Sequence, residues 1–190
     1  MVSFFAPFPF VVFTAYFLLL ILQFSIDSLE FLWVLIELLT FVIIGLIFIT
    51  ACSSTTMFGA TIYFITQRIL SIIFLALVFF MRFNIVNRLF VLFLFFLVLY
   101  IKIGGFPFHS WYYSSVYPFP RIIFLLVLTF HKTPLLVSFL IVFTRFNLLA
   151  DLQQFVFLVI ILNLLALGVF SLVSADLRSL ILSTSLANNS

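Results

Sequence analysis

Apolar residues run through this chain in long blocks separated by short polar breaks. The blocks cover about 4–24, 31–51, 57–81, 89–113, 121–143 and 155–175, followed by a short tail from Asp176 to Ser190. Each is about 20 residues long, the length a helix needs to cross a hydrocarbon core of about 30 Å. The pattern predicts an all-α membrane protein of about six transmembrane helices. The breaks run from Ser25 to Glu30, Cys52 to Thr56, Arg82 to Arg88 and Thr144 to Gln154. Links this short make successive helices antiparallel neighbours in one bundle, residues 1–175. Pro7 and Pro9 fall at the start of the first block, where a missing N–H costs little.

The fourth block is not a plain span. Gly104, Gly105 and Pro107 interrupt its apolar run, and these residue types favour breaking a helix. In lipid a break is tolerated where the freed backbone groups face protein or water, as in transporter ion sites. The competing expectation is a helix that ends at Ile103, with 104–120 as a surface loop. Spacing alone leaves both open.

Composition sharpens the membrane reading. Hydrophobic residues make up 67% of the chain and charged residues 7%, against roughly 45–50% and about 25% in a soluble domain. The net charge is +3, and the eight basic residues are scattered singly, so nucleic acid is not an expected partner. Arg82, Arg88 and Arg145 collect on one side, Arg121 and Arg178 on the other, a bias too small to set orientation. Cys52 is the single cysteine, which excludes an intramolecular disulfide and a four-cysteine metal site. The first block has no basic n-region and is followed by Asp27, Ser28 and Glu30, so a cleavable signal peptide is not expected.

Against this background the ionisable residues inside the blocks stand out, because each costs from about 2.5 to over 10 kcal/mol at membrane depth. Glu37 lies one to two turns into the second block, Arg68 near the middle of the third, Lys102 in the fourth and Lys132 in the fifth, preceded by His131. Competing readings are an interfacial carboxylate for Glu37 and snorkelling for Lys102 and Lys132. For His131 and His109 the competitor is a structural histidine. Arg68 cannot release its proton, so it is expected to anchor a carboxylate or backbone carbonyls. A carboxylate with two mid-membrane lysines suits proton movement. The sequence has no Ser/His/Asp order, metal-ligand cluster or phosphate-cradling loop, so no metal or cofactor is expected in the chain.

These residues also carry a resemblance. The stretch from Lys102 to Trp111 is similar to the Lys-x-Gly-x-x-Pro-Phe-His-x-Trp segment of the NADH dehydrogenase subunit 2 family. That family belongs to the antiporter-like membrane subunits of respiratory complex I. Trp33 to Glu37 resembles its glutamate-bearing helix, and Tyr63 to Gln67 its Tyr-Phe-Leu-Thr-Gln segment. Thr129 to Pro134 resembles Thr-Trp-Gln-Lys with a nearby proline, and Leu177 to Ser185 resembles Leu-Arg-Lys-x-Leu-Ala-Tyr-Ser-Ser. The resemblance implies the first repeat of an inverted-repeat bundle in the mitochondrial inner membrane. It makes Glu37 and Lys102 the charged pair of a half-channel and Lys132 the next relay lysine, with His109 and His131 as further candidates.

Redox chemistry is then expected in other subunits, and the partners are membrane-arm subunits, lipids and a separate chain supplying the second repeat. The tail at 176–190, with Leu177, Leu180 and Ile181 on one helical face, is expected to dock on that chain. Three departures from the family pattern matter: Arg68 stands at a normally small position, Pro134 lies one residue closer to its lysine, and Ser179 replaces a lysine. Two other functions compete: a structural subunit of the same complex that no longer pumps, and a cation/proton antiporter subunit.

Overall fold

The computed structural model describes residues 14, 17–19, 21–22, 28–50, 53–83, 87–146, 150–173 and 176–188. Most of the first apolar block, including Pro7 and Pro9, and Cys52 lie outside the described residues. From residue 28 onward the described chain forms α1 (Leu29–Thr50), α2 (Ser54–Phe83), α3 (Arg88–Ile103), α4 (His109–Val116) and α5 (Arg121–Thr129). A 3-10 turn (Phe130–Lys132) then leads to α6 (Thr133–Phe146), α7 (Ala150–Val173) and α8 (Leu177–Asn188). Among the described residues there is no strand.

Three segments are long and apolar enough to cross a membrane: Leu29–Thr50, Ser54–Phe83 and Arg121–Val142. The third runs through the 3-10 turn. Leu89–Ile103, Phe157–Leu172 and Leu177–Ala187 are shorter apolar helices. The 16 residues of α3 rise about 24 Å at about 1.5 Å each, less than a hydrocarbon core. Large side chains such as Phe31, Phe41, Phe48, Phe58, Ile72 and Phe79 are exposed on α1 and α2. An exposed apolar surface of this kind suits a helix that faces lipid or a partner protein.

Inside, α1 is the central element. Leu32, Leu35, Ile36, Leu39, Ile43, Leu46 and Ile47 are buried at helical spacing. One end of this stripe packs with Phe74, Phe95, Leu99 and Leu135; the other packs with Tyr63, Tyr112, Phe119, Val127 and Leu182. Gly59 lets α2 meet α4 closely, since a Cβ there would lie 2.6 Å from both Pro118 Cγ and the Ser115 carbonyl oxygen. One of those atoms is backbone and cannot swing aside. Gly59→Ala is therefore expected to cost about 1–3 kcal/mol by overpacking, read as a lower denaturation midpoint of the detergent-solubilised protein.

α3 ends at Ile103 because Gly104 turns left-handed at φ 88°. The N–H groups of Gly104 and Gly105 donate to the Ile101 and Tyr100 carbonyls at 3.0 Å. Gly104 and Gly105 are buried, and the chain resumes as a helix at His109. Residues 104–120 are thus a short break followed by α4, not a surface loop. The described tail, α8, packs on α7 and inserts Leu182 and Leu186 into the core of its own chain, leaving Leu177 and Leu180 exposed. Its first turn is clasped to the loop after α4. Arg178 donates to the Phe119 carbonyl and covers the Phe124 ring at 4.7 Å, while the Tyr117 hydroxyl donates to Asp176 Oδ2 at 3.2 Å. That hydrogen bond, with the carboxylate charge behind it, holds the Tyr117 phenol pKa above its ordinary value.

Candidate functional site

Polar groups meet where α1 and α2 face each other. Trp33 and Glu37 lie four residues apart on α1, and Arg68 and Ser71 three apart on α2, so each pair shares a helix face. Arg68 donates to Glu37 Oε2, and Trp33 Nε1 donates to the Ser71 carbonyl at 2.9 Å. Glu37 is 7% exposed and the Arg68 side chain 27%. The guanidinium lies 3.8 Å from the Phe41 ring centroid and 5.0 Å from that of Phe64, both contacts of cation–π type.

Lys102 comes in from the last turn of α3. It is 1% exposed, and its Nζ donates to Ser71 Oγ at 2.8 Å. The expected direct pairing of Glu37 with Lys102 is therefore corrected: the cation on Glu37 is Arg68. The reason is geometric, because Arg68 sits on the face of α2 that meets Glu37, and Lys102 reaches that face one turn further along, at Ser71. Lys102 still lies within Coulomb range of Glu37, Arg68 and His131.

The second lysine occupies the joint between α5 and α6. Pro134 has no N–H and disfavours a helical residue before it, which suits the switch to a 3-10 turn at Phe130–Lys132. The turn aims both polar side chains inward. Lys132 is 2% exposed, with Nζ 3.5 Å from the Ser185 carbonyl of α8 and 5.0 Å from the Tyr112 ring centroid. His131 is 3% exposed, its ring 5.9 Å from that of Tyr63, and neither of its nitrogens has a hydrogen-bond partner. Gln67, at 2% exposure, is buried on the same helix as Arg68 and Ser71.

His109 stands apart. It is half-buried between the rings of Phe106 at 5.6 Å and Phe170 at 5.2 Å, and shares no hydrogen bond or ring contact with Lys102, His131 or Lys132. The structure thus places Glu37 and His131 within Coulomb range of Lys102, buries Lys132 beside Tyr112 and Ser185, and leaves His109 apart from them. Ser71, Asn163 and the Ser185 carbonyl are participants that a search for ionisable groups passes over. The signal for Asn163 was present, as a lone amide inside an otherwise apolar block.

Asn163 supports the break beside Lys102. Its Oδ1 accepts from the Phe106 N–H at 2.8 Å, the Tyr100 hydroxyl donates to the Phe106 carbonyl at 2.7 Å, and Trp111 Nε1 donates to the Ile101 carbonyl at 3.1 Å. Backbone groups freed by the break are thus met by side chains from α3, α4 and α7. Asn163→Leu would leave the Phe106 N–H without its partner, at a cost of about 1–3 kcal/mol. The expected result is faster amide hydrogen exchange confined to peptides spanning residues 104–108; unchanged exchange there would show that the bond is dispensable.

Among the described residues no group of three His, Cys, Asp or Glu side chains could hold a metal ion. Two buried amines, an imidazole and a carboxylate are titratable groups of this interior. Searched against protein-family models and curated proteins, the chain has no match.

Proposed function

We propose that this chain is a membrane-arm subunit of a proton-translocating NADH:ubiquinone oxidoreductase, the N-terminal portion of a subunit 2. In this reading it forms about six membrane helices, the first of two inverted repeats, in the mitochondrial inner membrane. The relay runs through Lys102, His131 and Lys132, with the Glu37 carboxyl group beside it. Neither quinone nor nicotinamide chemistry takes place in this chain.

One observation carries the proposal: two lysines are buried to within 2% of full burial, and each is held by a neutral oxygen. A buried amine bonded to a hydroxyl or a carbonyl can keep or lose its proton without stranding an opposite charge. His131 is within Coulomb range of Lys102 and next in the chain to Lys132. A structural subunit that no longer pumps draws support from the Glu37–Arg68 pair, since its cation cannot release a proton.

The test is purification of the tagged chain from its own membrane. NADH:quinone oxidoreductase activity is expected to co-purify with it. Cation/proton exchange recovered without NADH oxidation would sink the proposal in favour of an antiporter.

A further inference from the structure

We propose that Arg68 is a positioning residue: it occupies the Glu37 carboxylate and thereby leaves Lys102 on the Ser71 hydroxyl, free of a fixed anionic partner. The inference rests on the relay reading above and adds a role for a cation that cannot itself carry a proton.

Glu37 is the buried carboxylate of the α1–α2 seam, and one of its oxygens, Oε2, is taken by Arg68 while Oε1 makes no hydrogen bond. Arg68 is in turn held in place by the Phe41 and Phe64 rings, whose centroids are 6.2 Å apart. Three residues along the same face of α2, Ser71 receives Lys102 at 2.8 Å. A partly buried cation and a fully buried one therefore meet neighbouring turns of one helix face, with one buried carboxylate near both among the described residues. The arrangement assigns that carboxylate to the permanent cation and a neutral hydroxyl to the titratable one. A charge-assisted bond to carboxylate is about twice as strong as a neutral one. Without Arg68, Glu37 would draw Lys102 off Ser71 into an ion pair, and each proton release from Lys102 would then strand a buried carboxylate. Arg68 prevents that capture.

The experiment uses the whole complex in its native membrane, measuring NADH-driven proton transport at matched oxidation rates in Arg68→Gln, Arg68→Lys, Arg68→Gln/Glu37→Gln and Lys102→Met. Lys102→Met defines the share of transport that depends on this site. Arg68→Gln is expected to lose at least half of that share, and Arg68→Lys to retain most of it. The double variant, with no carboxylate left to capture Lys102, is expected to pump more than Arg68→Gln alone. If Arg68→Gln fails to assemble, recovery of assembly in the double variant supports the pairing, and loss of both overturns it. Native transport in Arg68→Gln, or a double variant no better than the single one, also overturns the inference while leaving the relay intact. Native transport in Lys102→Met instead removes the relay reading and this inference with it.

Discussion

Lys102→Met is expected to abolish this chain's contribution to proton transport while leaving the complex assembled. Met fills much of the lysine volume in a site that is 1% exposed, so the principal structural loss is the bond to Ser71 Oγ. A buried hydroxyl left without that partner costs about 1–3 kcal/mol, too little to unseat a helix packed through Phe95 and Leu99. Lys102→Arg is expected to fail as well, because guanidinium keeps its proton. The measurement is protons moved per NADH oxidised in reconstituted complex at matched turnover. A stoichiometry unchanged in both variants would show that Lys102 carries nothing and would leave a structural subunit as the better account.

How much of this was legible beforehand differs between the helices and the site. Helix positions follow from block length and punctuation, and α1 and α2 lie close to their expected bounds because long apolar runs between polar links admit few alternatives. The α3 break at Gly104 was readable as a conflict between apolar character and residue type, although spacing could not say whether a helix resumed. It resumes because Trp111, Tyr100 and Asn163 meet the freed backbone groups, and those contacts join residues up to 57 positions apart. The 3-10 turn at His131 and Lys132 has only Pro134 as its local signal, and an otherwise continuous apolar block masks it.

The site's ingredients were visible and its pairing was not. Charged residues in apolar blocks announce themselves, whereas which cation meets Glu37 depends on the rotation of α2 against α1. Arg68 was legible as an anchor for an anion because guanidinium stays charged. Its choice of Glu37, which moves Lys102 to Ser71, is a property of packing. Ser71 itself carries no sequence signal beyond its place three residues after Arg68. The tail shows the same limit: its apolar residues predicted an amphipathic helix, but not that Leu182 and Leu186 would be buried in its own chain while Leu177 and Leu180 stay exposed.

Glu37→Gln is expected to be the most damaging conservative change in the bundle for assembly, and worse than Arg68→Gln. Both variants break the same ion pair, but they strand different groups. A carboxylate left alone can take up a proton and become neutral, or turn to Lys102 within its Coulomb range. A guanidinium without its carboxylate has neither escape, because it stays charged, and a neutral amide at position 37 and the faces of Phe41 and Phe64 offer it no full opposite charge. Removing one partner of a buried pair costs about 3–5 kcal/mol, and the 27% exposure of Arg68 places Glu37→Gln toward the lower end of that range. A loss of that size is a large fraction of a typical folding free energy, so the amount of assembled complex is expected to fall several-fold. Arg68→Gln/Glu37→Gln leaves no charge behind and is expected to assemble better than Glu37→Gln. Native-gel quantification of the three variants checks the order, and a Glu37→Gln complex as abundant as the unsubstituted one would show that the pair bears no structural weight.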